Sequence, residues 1–224
     1  MDISVIIPAY NEEGRIGNVL SPLIGLELIK EIIVVNDGSN DNTSEEAKKY
    51  PVKVIDIEHN KGKGAAMKEG LIYSSGEWIL FLDADLKGLS KEHIVSMIDC
   101  IQEKDVDMVI GLFTKGKITT DISHKIAPFL SGQRLVKRTI LEKITFNDRI
   151  PYGIEIVISN YIKKKGYQIK KVFMPNLSHT PKEIKRGWLK GKKEKLKMYS
   201  DILFTLVQLY LIPKWLKRLY KYNL

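Results

Sequence analysis

The sequence predicts an α/β fold, in which a mostly parallel, twisted sheet carries helices on both faces. Short apolar segments typical of buried strands alternate with helical segments through residues 1–111. The short strand–helix–strand spacing favours parallel strands joined by crossover helices. The chain has 224 residues, of which 44% are apolar and 28% charged, and this is enough to form one core of ordinary globular type.

The first two strand–helix units are visible as apolar runs followed by polar turn residues. Residues 3–7 are apolar and predict the first strand, which stops at Pro8 and is followed by a helix around 13–24. Residues 31–35 predict the second strand. The Asn- and Asp-rich turn after it can cap a helix at 43–50.

The next units continue the same alternation. Residues 52–57 predict a third strand and 63–74 a helix. The run 78–82 follows a Ser-Ser-Gly turn and is typical of a central, fully buried strand. Apolar residues at helical spacing predict a helix at 91–103, and 107–111 reads as a further strand.

The second half of the chain is less regular. Residues 115–125 are polar and predict a mobile loop over the site. Helices are expected at 136–143 and 154–164, and a strand at 168–173. The apolar run 202–212 is too short to span a bilayer.

The charge divides the chain into a body, residues 1–181, and a basic tail, residues 182–224. The body contains 24 basic and 24 acidic residues, whereas the tail contains 12 basic and 3 acidic residues and carries the whole net charge of +9. The single cysteine, Cys100, excludes a disulfide within the chain and fits a reducing cytosol. The strand-like N-terminus shows no signal peptide.

The tail has apolar residues at helical spacing between residues 196 and 210, followed by mixed lysines and aromatics. One interpretation is a helix that packs on the body and leaves a solvated basic edge. A second, which we favour, is an amphipathic helix that contacts anionic lipid through 196–224. Nucleic-acid binding is a third, but no recognised module accompanies the lysines, so none is expected.

Chemically unusual loops follow the first four predicted strands, at residues 8–13, 36–43, 60–66 and 83–85. Each has a plain structural interpretation: a helix cap, a turn, an ordinary Gly-Lys loop, or two solvated acids. Because the carboxyl ends of parallel strands meet at one edge of a sheet, the four loops are expected to form one crevice.

Asp83 and Asp85 are the most informative residues of that crevice. Two carboxylates one residue apart repel each other, and a divalent cation is the usual remedy. A hard cation held by carboxylates commonly keeps positions for phosphate oxygens. The pair therefore points to an enzyme that handles a diphosphate.

Together, the four loops resemble the family 2 glycosyltransferases, nucleotide-sugar enzymes with the Rossmann-like GT-A fold. The resemblance covers residues 1–181. It implies a nucleotide-binding half, 1–111, and an acceptor half, 112–181.

The resemblance implies a uridine site and a Mg2+ or Mn2+ site. Asp37 would accept the uracil N3–H, Glu12 would bind the ribose, and Lys63 would approach the diphosphate. Asp85 would bind the metal directly, with Asp83 beside the metal or the ribose. The remaining donor-binding positions are Pro8, Ala9, Tyr10 and Ala84.

The resemblance also implies an acceptor side. Glu155 would orient or deprotonate the acceptor, although it could instead complement a helix dipole. Arg134 would help to position the acceptor. The segment around Glu155 is similar to that of glucosyl-3-phosphoglycerate synthases, which are longer. The remaining acceptor-binding positions are Ser131, Gly132, Gln133 and Tyr152.

His179 follows a predicted strand, where a lone histidine is commonly structural. The resemblance implies that it is a further metal ligand. Three cations follow and would close over the diphosphate or form a solvated basic face: Lys182, Lys185 and Arg186.

The sequence thus predicts a glycosyltransferase that moves a sugar, glucose or a close relative, from a UDP-sugar to a hydroxyl or phosphate acceptor. The acceptor could be a lipid phosphate, a cell-envelope glycan or a small phosphorylated acid. The expected location is the cytoplasm, at the inner face of the membrane if the tail binds lipid. The rivals are a two-aspartate phosphatase, which carries its pair on the first strand, and a non-catalytic sugar-nucleotide-binding protein.

Overall fold

The computed structural model of the protein describes residues 1–113, 131–144 and 154–180. Its centre is a seven-stranded sheet in the order β3-β2-β1-β4-β7-β6-β8. The strands of this sheet are β1 (Ile3–Ala9), β2 (Ile29–Asp37), β3 (Lys53–Ile57), β4 (Trp78–Phe81), β6 (Met108–Phe113), β7 (Arg134–Lys137) and β8 (Ile169–Met174). A second ladder pairs the short strands β5 (Leu86–Lys87) and β9 (Ser178–His179).

Helices cover both faces of the sheet, as the sequence predicts. They are α1 (Ile16–Leu20), α2 (Thr43–Ala47), α3 (Lys63–Tyr73), α4 (Lys91–Ile101), α5 (Arg138–Leu141) and α6 (Ile154–Lys164). One apolar cluster joins one face to α1, α2 and α4, and the other joins the opposite face to α3, α5 and α6. The predicted α/β class, a mostly parallel sheet with helices on both faces, is confirmed.

β7 corrects one prediction, since a helix is expected at 136–143 and the chain instead forms a strand before the short α5. Leu135 and Val136 are both fully buried, each in a different apolar cluster. A strand covered on both faces loses the polar–apolar alternation that identifies it in sequence.

The first helix is also shorter than predicted. α1 ends at Leu20, and the chain continues as a 3-10 turn, Ser21–Leu23, which contains Pro22 at its start. Proline has no backbone N–H to donate, so it does not continue an α-helix. The predicted loop at 115–125 and the tail lie outside the described residues.

The direction of the strands determines where the site lies. β7 is antiparallel to both of its neighbours, β4 and β6, whereas the other pairs of the large sheet are parallel. The carboxyl ends of β1 to β4, β6 and β8 therefore meet at one edge, where β7 begins. Residues 131–133, just before β7, reach the same edge as Asp83.

Candidate functional site

The loops after β1 and β2 are joined by hydrogen bonds that fix their shape. The Asn11 backbone N–H donates to Ser39 Oγ at 2.9 Å, and that of Glu12 donates to Thr43 Oγ1 at 2.7 Å. Glu12 is buried and accepts a bond from Arg15 Nε at 2.6 Å. Pro8 and Ala9 end β1 and lead directly into this rigid loop, which contains Tyr10.

Asp37 ends β2 and is held by the next loop of the crevice. Its two carboxylate oxygens accept backbone N–H groups of Lys61 and Gly62, each at 2.8 Å. Gly38 has a φ of +67°, and a Cβ there would lie 2.6 Å from the backbone nitrogen of Asn60. Glycine is therefore required for this close approach of the two loops.

Lys63, at the start of α3, joins the two halves of the chain. Its ammonium lies 2.5 Å from Asp83 Oδ1 and 2.5 Å from Glu155 Oε1, at the start of α6. The three side chains are 25%, 16% and 9% exposed. Burial alone would lower the pKa of Lys63, but the charges of Asp83 and Glu155 outweigh it and raise that pKa well above its ordinary value.

Asp83 is also held from the segment before β7. Gln133 is fully buried, and its Nε2 donates to Asp83 Oδ2 at 2.8 Å. Gly132 lies so close to the Asp83 carboxylate that a side chain at that position would displace it. Ser131 Oγ bonds Gly111 O at 2.6 Å and Gln133 Oε1 at 3.1 Å. Ser131, Gly132 and Gln133 therefore lie beside Asp83 and support it, and their contact with an acceptor stays a prediction.

Asp85 faces the end of the described chain. Its Oδ1 lies 3.0 Å from His179 Nδ1, and His179 Nε2 lies 3.8 Å from Asp83 Oδ2. The ring of Phe113 meets His179 edge-on, with 4.8 Å between centroids. Burial alone would lower the pKa of His179, but the hydrogen bond that it donates to Asp85 and the charges of both aspartates raise it.

Asp83, Asp85 and His179 could hold a metal ion together, because one ligand atom from each lies within 4.8 Å of the others. Two ligands on opposite sides of Mg2+ are separated by about 4.2 Å, twice the metal–oxygen distance. Small side-chain rotations therefore suffice to bring the three groups onto one ion. Carboxylates with one imidazole form a donor set that suits Mg2+ or Mn2+.

Arg134, at the start of β7, lies inside the protein. Its side chain is fully buried; Nε donates to Ser131 O at 2.7 Å, and Nη1 donates to Ser159 Oγ at 2.6 Å. Burial lowers the pKa of Arg134 to about 10, although the charges of Glu155 and Asp83 act in the opposite direction. The guanidinium therefore stays protonated at neutral pH. Arg134 thus supports the segment below the crevice, and its help in positioning the acceptor stays a prediction.

The structure thus joins Lys63, Asp83, Asp85, Glu155 and His179 in one cluster, with Asp37 and Glu12 farther along the same edge. Ala84 is buried between the two aspartates. Tyr152 and the cations after residue 181 lie outside the described residues. Phe113 was missed, because an aromatic residue at the end of a strand looks like an ordinary core residue in sequence. Among the described helices, none is long and apolar enough to cross a membrane.

Comparison with protein families places this site in a known context. Residues 4–174 match the model of the family described as Glycosyl transferase family 2. Poly-beta-1,6-N-acetyl-D-glucosamine synthase of Staphylococcus epidermidis is 44% identical over 88 residues, covering 37% of this chain and 21% of the relative. The 4,4'-diaponeurosporenoate glycosyltransferase of Staphylococcus aureus is 35% identical over 105 residues, covering 45% of this chain and 28% of the relative. The matched part is thus below a third of each relative's length.

Solved structures share the fold over nearly the whole chain. Glucosyl-3-phosphoglycerate synthase from Mycobacterium tuberculosis, in complex with Mn2+, UDP and glucosyl-3-phosphoglycerate, has a TM-score of 0.77 and 23% identity. The match covers 95% of this chain and 81% of that one. The same enzyme in complex with Mg2+ and UDP has a TM-score of 0.76. At this identity, the likeness establishes the fold alone.

Proposed function

The chain belongs to glycosyl transferase family 2, and from this premise we propose that it transfers a sugar from a UDP-sugar to a hydroxyl or phosphate acceptor. The donor would be UDP-glucose or a close relative, bound through Mg2+ or Mn2+. The body 1–181 would divide into a donor half, 1–111, and an acceptor half, 112–181. Support comes from the family match and from the residues that converge at the carboxyl-end edge of the sheet.

The observation that carries the proposal is the convergence of Asp83, Asp85 and His179. Asp85 and His179 would be the main ligands, because Asp83 is already paired with Lys63 and bonded by Gln133. When bound, the cation would act as a Lewis acid that neutralises charge developing on the departing UDP. Asp83 would keep Lys63 in place beside the diphosphate.

Asp37 supports a uridine donor. Each of its oxygens accepts one backbone N–H, and a carboxylate oxygen can accept a second bond. Asp37 could therefore still accept the N3–H of uracil, a donor that cytosine lacks. Glu12, in the adjoining loop, would accept hydroxyl hydrogens of the ribose.

Glu155 would act on the acceptor. It is a buried carboxylate at the start of α6 and is paired with the ammonium of Lys63. If Lys63 turned towards the diphosphate, Glu155 would be released to orient or deprotonate an acceptor hydroxyl. Arg134 would support this arrangement from below, through Ser131 and Ser159.

Calorimetric titration with UDP and Mn2+ tests the donor site. We expect binding that requires Mn2+, is lost in Asp85→Ala, and is kept in Asp99→Ala, which removes an exposed carboxylate from α4. CDP should bind more weakly than UDP. Metal-independent UDP binding, or equal binding by Asp85→Ala, would refute the metal site.

Turnover separates the proposed enzyme from its rivals. Release of UDP from a UDP-sugar, with an acceptor screen of polyprenyl phosphates, glycans and phosphorylated acids, would support a transferase. Metal-dependent UDP binding without turnover of any donor would identify a binding protein. The position of Asp83 and Asp85 after β4 already disfavours a two-aspartate phosphatase, which carries its pair on the first strand.

For the tail, which lies outside the described residues, we propose peripheral contact with anionic membranes through residues 196–224. The basis is its charge, since residues 182–224 carry the whole net charge of the chain. Sedimentation with anionic liposomes should show binding by the full chain and not by a chain ending at residue 195. Equal sedimentation of both would refute it.

A further inference from the structure

The turn between β8 and β9, residues 175–177, determines where His179 lies. β9 pairs with β5, so that His179 is opposite Leu86 and Ser178 opposite Lys87. The backbone N–H of Thr180 donates to Asp85 O at 3.1 Å. These bonds fix β9 beside the loop that carries both aspartates, but the ladder has only two residues in each strand.

His93 contacts this turn from a different element. It lies in the first turn of α4, is 8% exposed, and its Nδ1 accepts the backbone N–H of Ser90 at 3.2 Å. Its Nε2 lies 3.0 Å from Pro175 O. A carbonyl oxygen can only accept, so Nε2 carries the hydrogen and the ring is the neutral Nε2–H tautomer. The imidazole thus joins α4 to the turn.

The turn is packed closely against the segment that leads into α4. Leu177 is 1% exposed and belongs to the same apolar cluster as Leu86 and Leu89. Gly88 has a φ of +79°, and a Cβ there would lie 2.6 Å from Asn176 O. The turn is therefore in close contact with Gly88, and it continues directly into β9. A displacement of the turn would move β9 and its histidine.

We propose that His93 is a positioning residue, which holds the turn 175–177 through Pro175 O and thereby keeps His179 beside Asp85. This inference rests on the proposed function in one respect, that His179 serves a metal site. α4 is an 11-residue helix packed on the sheet, so it holds the His93 side chain that bonds Pro175 O in a fixed position. The β5–β9 ladder, with two residues in each strand, would by itself hold the turn less firmly.

Two substitutions of His93 test its two hydrogen bonds separately, since each keeps one bond of the imidazole and loses the other. Asn at position 93 places an amide oxygen where Nδ1 lies, so His93→Asn keeps an acceptor for Ser90 and loses the bond to Pro175. Gln places an amide nitrogen where Nε2 lies, so His93→Gln keeps a donor to Pro175 and disturbs the cap of α4. A merely structural capping role would make His93→Gln the more harmful change.

We expect His93→Asn to weaken Mn2+ affinity about tenfold, the lower end of outer-shell effects, with kcat at saturating Mn2+ unchanged. In the metal-free protein, amide exchange at Thr180 should be about fivefold faster, which corresponds to the loss of one buried hydrogen bond. His93→Gln should leave both quantities near their wild-type values, and His179→Ala should lower Mn2+ affinity at least as much as His93→Asn.

The possible outcomes distinguish a failure of the positioning role of His93 from a failure of the proposed function. If His93→Asn leaves both Mn2+ affinity and Thr180 exchange at wild-type values, or if His93→Gln matches it in both, the positioning role is wrong. If the wild-type protein binds no Mn2+, the proposed function fails, and Thr180 exchange in the metal-free variants then decides whether His93 holds the turn.

Discussion

Two carboxylate sites lie at opposite edges of the same sheet, and they are built differently. At the amino-end edge, Glu31 Oε1 accepts Ser4 Oγ at 2.7 Å, the Ser75 backbone N–H at 2.7 Å and Ser75 Oγ at 2.8 Å. All three donors are neutral. At the carboxyl-end edge, Asp83 and Glu155 instead face the ammonium of Lys63, and Asp85 faces the imidazole of His179.

The difference indicates which acids are available to a ligand. Neutral hydroxyl and amide donors satisfy Glu31 locally, so that site acts as a structural joint between the starts of three strands. The carboxyl-end cluster combines three carboxylates with two permanent cations, Lys63 and the buried Arg134, and with His179. With His179 neutral, these groups leave one net negative charge, which would favour a bound cation. The following predictions test this contrast.

The largest effect is expected for Lys63→Met, measured in metal-free buffer. The change removes the cation between Asp83 and Glu155, and two largely buried carboxylates would then lack their shared partner. We expect the free energy of unfolding to fall by about 3 kcal/mol, the lower end for breaking a buried ion pair, because the crevice is open to water. Urea denaturation measures it.

Lys61→Met is the matched control for this change. Lys61 is exposed two residues before Lys63 and contributes its backbone N–H, which the substitution retains. The Lys61→Met change should lower the free energy of unfolding by no more than about 0.5 kcal/mol. Equal costs for the two variants would mean that the Lys63 ion pairs do not stabilise the fold.

The second prediction concerns Gln133→Leu, which keeps the side-chain volume and removes the donor to Asp83 Oδ2. The loss should cost about 2 kcal/mol in the free energy of unfolding, since a buried carboxylate oxygen loses a bond. Turnover should fall as well, because Asp83 would no longer be fixed beside Lys63. Gln102→Leu, at an exposed position just after α4, is the control. An unchanged stability would show that Gln133 is not needed to hold Asp83.

The first half of the chain was predictable because local patterns determine it. The strand-end loops containing Asp37, Lys63 and Asp83 lie where a parallel sheet places its crevice, and the structure puts them there. Boundaries were less exact. Pro22 shortened the first helix, a signal that the periodic apolar pattern concealed.

The second half was less predictable because its contacts are distant in sequence. The Lys63–Glu155 pair spans 92 residues, and no periodic pattern announces it. The antiparallel β7 and the small β5–β9 ladder have no strong strand pattern, yet they carry Gln133 and His179 to the aspartates. Sequence does not distinguish a buried arginine from an exposed one, so only the structure shows that the Arg134 guanidinium is buried.

The third prediction tests the other edge of the sheet. Glu31→Gln replaces a charged acceptor by a neutral one and should lower the free energy of unfolding by about 1 kcal/mol at pH 7, since the carboxylate is partly exposed. Mn2+-dependent UDP binding should not change. Glu27→Gln, an exposed acid before β2, controls for the change in net charge.

The difference in the free energy of unfolding between wild type and Glu31→Gln should depend on pH in a definite direction. Burial alone would raise the pKa of Glu31, but the bonds from Ser4 and Ser75 outweigh it and lower that pKa below 4.5. The stabilisation is therefore complete above pH 4.5 and disappears as the pH falls through the lowered pKa. If the stability gap between wild type and Glu31→Gln grows on acidification, this account of the amino-end edge is wrong.

The smallest effect is expected at the exposed side of the metal site, for Phe113→Ala. The Phe113 ring meets His179 edge-on, and its loss should weaken Mn2+ affinity about threefold, as expected for part of one aromatic contact. Phe173→Ala is the matched control, because Phe173 lies on the neighbouring strand opposite Leu112 and is 66% exposed. Mn2+ titrations of both variants should differ, since only Phe113 touches a proposed ligand. Equal affinities would mean that His179 needs no aromatic support.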